Sequence, residues 1–214
     1  MAADKKIRTL VKELGEPYSA MLGIDLRKGD PAYFKWFLAA FLYAKPIREE
    51  TATKTFKIFE SEGLDDPQAI VKANRSRLIT ALGRGGYARY DESTTTRLQD
   101  ICENLQAQYG GKLSRLYAAA EDSRDLEKRI LELGKGIGPV TASVFLRDMR
   151  SVWPKADPPP TPRVKETAKE LGIRDVKRYA REHDVDLVEL ETALHRCSRE
   201  LKRREKRARP LKRR

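Results

Sequence analysis

Residues 123–163 read SRDLEKRILELGKGIGPVTASVFLRDMRSVWPKADPPPTPR, and this stretch decides the fold. Leu126, Ile130 and Leu133 recur at helical spacing and mark one apolar face. Gly134, Lys135, Gly136, Ile137 and Gly138 then form a tight turn, and Pro139 stands where a second helix starts. Val144, Phe145 and Met149 continue the apolar face of that second helix. The pattern predicts two helices joined by a hairpin. Glycines there let the backbone turn sharply and come close to a ligand, because they lack a side chain and tolerate positive φ. Ile137 plugs the gap between the two helices. The N–H groups at the start of the second helix then make an anion site, assisted by the helix dipole, and a nucleic-acid phosphate suits it. A dinucleotide-binding reading fails, since no strand precedes the glycines.

Working outward, the chain reads as helical almost throughout. Strict apolar/polar alternation is scarce, whereas i, i+3, i+4 spacing recurs. Asp30 before Pro31 predicts an N-cap with proline at the first helical position, opening PAYFKWFLAAFLYA. That segment is apolar on most sides (Phe34, Phe37, Leu38, Phe41, Leu42), which predicts a central, buried helix ended by Pro46. Further helices are expected over 49–62, 67–73, 75–83, 93–109, 111–119, 123–132, 139–151, 163–171, 174–183 and 186–205. Trp36 and Trp153 read as core residues. The fold class is all-α.

Composition bounds the function. A chain of 214 residues and 24.5 kDa can build one or two compact domains without a disulfide or metal staple. Two cysteines, Cys102 and Cys197, make neither a disulfide framework nor a four-cysteine metal site, and His183 and His195 have no partner spacing for a metal. No apolar run approaches the roughly 20 residues of a membrane span, and MAADKKIRTL lacks the apolar block of a signal peptide. The expectation is a soluble intracellular monomer, cytoplasmic, nucleoid-associated or nuclear, with no membrane partner and no cofactor. Charged residues make up 36%, against roughly 25% in an average domain, and the formal net charge is +12. Residues 196–214 hold eleven basic and two acidic residues, a net +9 of that +12. Such a basic tail adds salt-sensitive, sequence-independent affinity for an acidic partner.

The segment LxxGKGIGPVTASVFLRDM, followed by Asp157, resembles the helix–hairpin–helix DNA glycosylases of the endonuclease III superfamily. FLAAFLYAKPIREETATKTF is similar to that family's early buried helix and the loop after it. LGRGGYARYDESTTTRLQDICENLQAQYGG is similar to its Gly-Tyr loop and following helix. The resemblance covers about residues 30–172. It implies two helical lobes: a central bundle over 28–137, and a second lobe of 1–27 with 138–195 carrying the second hairpin helix and Asp157. The basic tail, 196–214, follows. It further implies double-stranded DNA containing a lesion or mismatch as partner, bound with the target nucleotide flipped out of the stack.

The departures from that family narrow the expected chemistry. Bifunctional members carry a lysine nucleophile where this chain has Val140, so the resemblance implies a monofunctional base-excision glycosylase without β-lyase activity. The family's iron–sulfur cluster needs four cysteines, so no cluster is expected. Asp157 falls near the family's catalytic aspartate, where a carboxylate stabilises the oxocarbenium character of the sugar as the base departs. An alternative register puts Thr161 at that position and leaves the site without chemistry. Gly134, Lys135, Gly136, Ile137, Gly138, Val140 and Thr141 are the expected phosphate grip. Lys45 falls where the family inserts a polar wedge, and Gly85, Gly86 and Tyr87 match the loop that contacts the opposite strand. Arg84 and Arg89 beside that loop suit phosphates. The alternatives are a non-catalytic helix–hairpin–helix DNA-binding protein and, from the tail alone, an RNA-binding helical protein.

Overall fold

The computed structural model of the chain describes the backbone of residues 2–87 and 89–208, and side-chain surroundings within 4–87 and 89–198. Of the expected basic tail, residues 196–214, the side chains beyond 198 and the backbone beyond 208 therefore lie outside the described residues. Thirteen α-helices follow one another, with no strand among the described residues. They are α1 (Ala2–Leu14), α2 (Tyr18–Met21), α3 (Asp30–Tyr43), α4 (Glu49–Ser61), α5 (Pro67–Lys72), α6 (Arg75–Gly85), α7 (Asp91–Tyr109), α8 (Leu113–Ala119), α9 (Ser123–Glu132), α10 (Pro139–Met149), α11 (Pro162–Glu170), α12 (Val176–Glu182) and α13 (Leu187–Ala208). A 3₁₀ turn, Leu26–Lys28, precedes α3. The chain is all-α.

Contacts divide it into two compact units. One is Leu22–Pro158, and the other joins Met1–Met21 to Pro159–Arg214. This corrects the expected boundary, which put the second hairpin helix with the terminal segments. The reason is packing. Helix α10 sets Phe145 edge-on to Phe37 of α3, ring centroids 5.4 Å apart, and Trp36 Nε1 of α3 donates to the Phe145 carbonyl at 3.0 Å. Both partners are buried, so α10 belongs to the core of the central unit.

That core centres on α3, where Trp36, Phe37, Leu38, Phe41 and Leu42 are fully enclosed. Each such side chain contributes roughly 1.5–3 kcal/mol relative to exposure. Trp153 is also buried, stacked on Tyr117 at 4.8 Å. Asp30 departs from its expected role. The cap of α3 is Gly29, and the Asp30 carboxylate instead accepts from the backbone N and hydroxyl of Ser114, at 2.8 and 2.6 Å, at the start of α8. A tertiary partner outcompetes the local cap because α8 begins with amides that no side chain of its own satisfies.

The other unit buries Ile7, Val164, Ala168, Ile173, Val176, Ala180, Leu190 and Leu194 around α13. Helix α1 lies outside the segments expected from sequence, although Ile7, Leu10 and Val11 stand at i, i+3, i+4 and all three meet this core.

Candidate nucleic-acid interface

The hairpin is built from its glycines and its caps. Asp122 starts α9 by accepting from the amides of Arg124 and Asp125, both at 2.8 Å. Helix α9 buries Leu126 and Ile130 on one face, and its cap residue Leu133 is buried as well. Gly136 then turns the chain at φ +100°, where a Cβ would lie 2.8 Å from Cδ of Arg97 and 3.4 Å from Cε2 of Phe41. Only glycine satisfies both that dihedral and that approach. Ile137 points inward at 7% exposure. Gly138 is extended (φ −107°, ψ 177°), and Pro139 opens α10.

The start of α10 lacks what most of the other helix starts have. Helix α8 shares the absence of a side-chain cap and of an acidic first turn, but there the Asp30 carboxylate accepts from the Ser114 amide. Asp66, Asn74, Asp122, Thr161 and Asp175 cap α5, α6, α9, α11 and α12 with their own side chains. Helices α4 and α7 carry two acidic residues each in the first turn. Asp186 accepts from the first amides of α13. Helix α10 has neither a side-chain cap nor an acidic first turn. Among the described residues, nothing accepts from the N–H groups of Val140 and Thr141. Two amides and the positive end of a helix dipole therefore converge on one spot beside exposed Lys135. An oxyanion is the group that satisfies them.

Further groups support the turn from beneath. Lys45, expected as a wedge, instead turns its amine to the hairpin, where Nζ donates to the Gly136 carbonyl at 3.1 Å. The ammonium lies 4.5 Å from the centre of the Phe41 ring. Burial, reinforced by the Arg97 charge, lowers its pKa from the ordinary lysine value. Arg97, which the sequence reading did not single out, lays its aliphatic stem along Gly136 and is itself exposed. Its one sequence signal is that it stands one turn before Ile101, whose side chain closes on Gly134.

The loop after α6 plays a different part. Tyr87 is 1% exposed, its hydroxyl donates to the Leu42 carbonyl at 2.9 Å, and burial raises its pKa. It is a core residue and presents no face for stacking on a base. Gly85 is buried against Thr55, Gly86 adopts φ +93°, and Arg84 pairs with Glu62. Arg89 lies over the Tyr90 ring at 5.6 Å. Both the Tyr87 loop and Lys45 anchor at the C-terminal end of α3, so that end holds the hairpin's support.

Asp157 follows Trp153 on the same unit. Its side chain is 52% exposed, and Oδ1 lies 3.6 Å from Nη2 of Arg150, the residue that ends α10. Nη2 also donates to the Pro158 carbonyl at 2.8 Å. The next helix, α11, is capped by Thr161, whose hydroxyl accepts from Val164 N at 3.4 Å. Asp157 thus stands four residues before the cap of α11, a position that Thr161 occupies. Val140 is exposed at 43%, an apolar side chain at the second position of α10.

No group of His, Cys, Asp and Glu arranged to hold a metal occurs among the described residues, and none of the described helices is long and apolar enough to cross a membrane. Cys102 is buried on α7, and His183 pairs with Asp4 at 3.2 Å. Comparison with protein-family models, curated proteins and solved structures returns no match for this chain.

Proposed function

We propose that the protein binds duplex DNA through its sugar–phosphate backbone, using residues 134–141 as the phosphate grip. The observation that carries the reading is the start of α10, whose Val140 and Thr141 amides meet no acceptor and no acidic residue. A phosphate oxygen accepts from both amides and gains from the dipole. Backbone contacts of this kind carry no sequence information, so the binding is sequence-independent and weakens with salt. The test is fluorescence anisotropy of a labelled 20-bp duplex across a salt series. Binding whose log K falls linearly with log[salt] is expected. No binding at low salt overturns the reading, and equal or tighter binding of a single-stranded RNA of the same length moves it to RNA.

A second reading adds chemistry: a monofunctional DNA N-glycosylase acting on a damaged or mispaired base. The observation in its favour is Asp157, a half-exposed carboxylate on the same unit as the hairpin. In that reaction the C1′–N bond breaks, the base leaves with the electron pair and is protonated, and water adds to the sugar. An anion beside C1′ stabilises the developing oxocarbenium charge and orients the water. Val140 offers no amine, so no Schiff base forms there. Against this reading stands Thr161, which holds the helix cap while Asp157 faces Arg150. The test is a panel of duplexes carrying uracil, thymine opposite guanine, hypoxanthine, alkylated purines, 8-oxoguanine or oxidised pyrimidines, each developed with and without alkali. Alkali-dependent cleavage lost in Asp157→Asn supports the glycosylase. Binding with no excision on any duplex leaves the DNA-binding reading alone.

A further inference from the structure

The second unit carries a feature that the hairpin reading does not use. Helix α11 ends at Glu170 with Leu171 as its cap, and the Ile173 amide returns to the Ala168 carbonyl at 2.8 Å, folding the chain back into α12. The fold-back leaves an open cavity of about 800 Å³. Ala168, Ile173 and Val176 form its apolar floor, and Lys165, Lys169, Arg174 and Lys177 stand among its walls.

The charges around it are unbalanced. Lys165 and Lys169 are both exposed on α11 at i, i+4, a spacing at which like charges disfavour the helix. No carboxylate pairs with Lys165, Lys169 or Arg174 among the described residues, whereas Arg178, just outside the cavity on α12, pairs with Glu182 at 2.6 Å. The one acidic residue of the lining, Asp175, is committed to the cap of α12, accepting from Arg178 N at 2.9 Å. Three unpaired cations around a low-dielectric floor concentrate positive potential in the concavity.

We infer that this cavity is a second binding site for the nucleic-acid phosphodiester backbone, with Lys165, Lys169 and Arg174 as its cations. The inference rests on the DNA-binding reading and extends it to a site on the other unit. A polyanion with charges along one strand suits the arrangement, because the three cations span a helix face and the following turn.

The test measures duplex DNA affinity by anisotropy over a salt series for the full chain. Its arms are the wild type, the triple variant Lys165→Gln/Lys169→Gln/Arg174→Gln, and a control of equal charge loss, Lys54→Gln/Lys72→Gln/Arg124→Gln, at exposed positions of the other unit. A fourth arm is Gly138→Asp in the hairpin. Each phosphate contact contributes about 0.9 to the slope of log K against log[salt], so the cavity variant should lower the slope by about 2–3 and the control should leave it unchanged. Equal losses in the two triple variants, or no loss in either, overturn the inference while a weakened Gly138→Asp leaves the hairpin reading standing. A wild type that binds no duplex overturns both. A cavity variant that loses binding to polyglutamate but keeps the DNA slope assigns the cavity to an acidic peptide and overturns it too. Thermal melts of all four proteins show whether each variant is folded.

Discussion

Gly138→Asp tests the hairpin because stability and binding should move in opposite directions. Gly138 is extended and a Cβ there meets nothing within 4 Å, so aspartate fits without strain. It places a carboxylate where Asp122 and Asp175 stand at α9 and α12, accepting from first-turn amides. Aspartate exceeds glycine at an N-cap by only a few tenths of a kcal/mol, and the dipole adds up to about 0.3–1 kcal/mol. A gain near 0.5 kcal/mol raises the melting temperature by about 1–2 °C in a chain of this size. Binding should fall. A hydrogen bond to a charged group is worth about 1.5–3 kcal/mol, and losing even one at its lower limit weakens affinity about tenfold. The salt slope should drop by about 0.9 with the lost phosphate. Gly138→Asn separates the two effects, since asparagine caps as well without repelling phosphate. Anisotropy and thermal melts on the same samples decide. An aspartate variant that melts higher and still binds as the wild type would refute the assignment of phosphate to these amides.

Two further predictions concern residues around the hairpin. Lys45→Met keeps the bulk but removes the donor to Gly136 and the charge over Phe41, so urea denaturation should show a loss of about 1 kcal/mol and DNA affinity should fall severalfold, with Lys45→Arg recovering part of both. Because the folded chain holds this ammonium at a lowered pKa, the unfolded state binds more protons between that value and about 10.4. Wild-type stability should therefore rise with pH across that window, and Lys45→Met should flatten the rise. Thr161→Asp leaves α11 capped, so its melting temperature should stay within about 1 °C of the wild type. On the lesion panel it should behave as the wild type does, and excision appearing only in this variant would move the reacting carboxylate from Asp157 to the helix cap.

The hairpin was legible because its determinants are local. Glycine at a positive φ, proline at a first helical position and apolar residues every three or four positions all act within one or two turns, and α9 and α10 start at Ser123 and Pro139 as that grammar requires. The buried α3 was legible for the same reason. Its cap was not, because the Asp30 carboxylate is drawn to Ser114, 84 residues away. Nor was the unit boundary. Periodicity shows that α10 has an apolar face, but Phe145 finds its partner in Trp36, 109 residues away, and no local pattern encodes that choice. Tyr87 illustrates the same limit from the other side, since a tyrosine in a glycine loop reads equally as a base contact or as a partly buried ring until Leu42 accepts from its hydroxyl.

What a helix start will bind follows from what already occupies it. At α9, α11 and α12 a side chain of the protein satisfies the first amides, and an outside anion would have to displace it. At α10 the sequence puts glycine, proline and valine where an acceptor would stand, so the amides are left for a ligand, and this much is readable from residue types alone. The support beneath is not, because Lys45 and Arg97 reach Gly136 from positions distant in the chain. The run of residues 157–161 is the opposite case. Three consecutive prolines impose no hydrogen-bonded periodicity, so the sequence leaves open whether Asp157 or Thr161 stands at the position the resemblance gives to the carboxylate, and the Thr161–Val164 bond puts Thr161 at the cap of α11. That bond gives Thr161 the capping position and leaves Asp157 to Arg150, which is why backbone binding stands as the primary reading and excision as the one that Asp157 must prove.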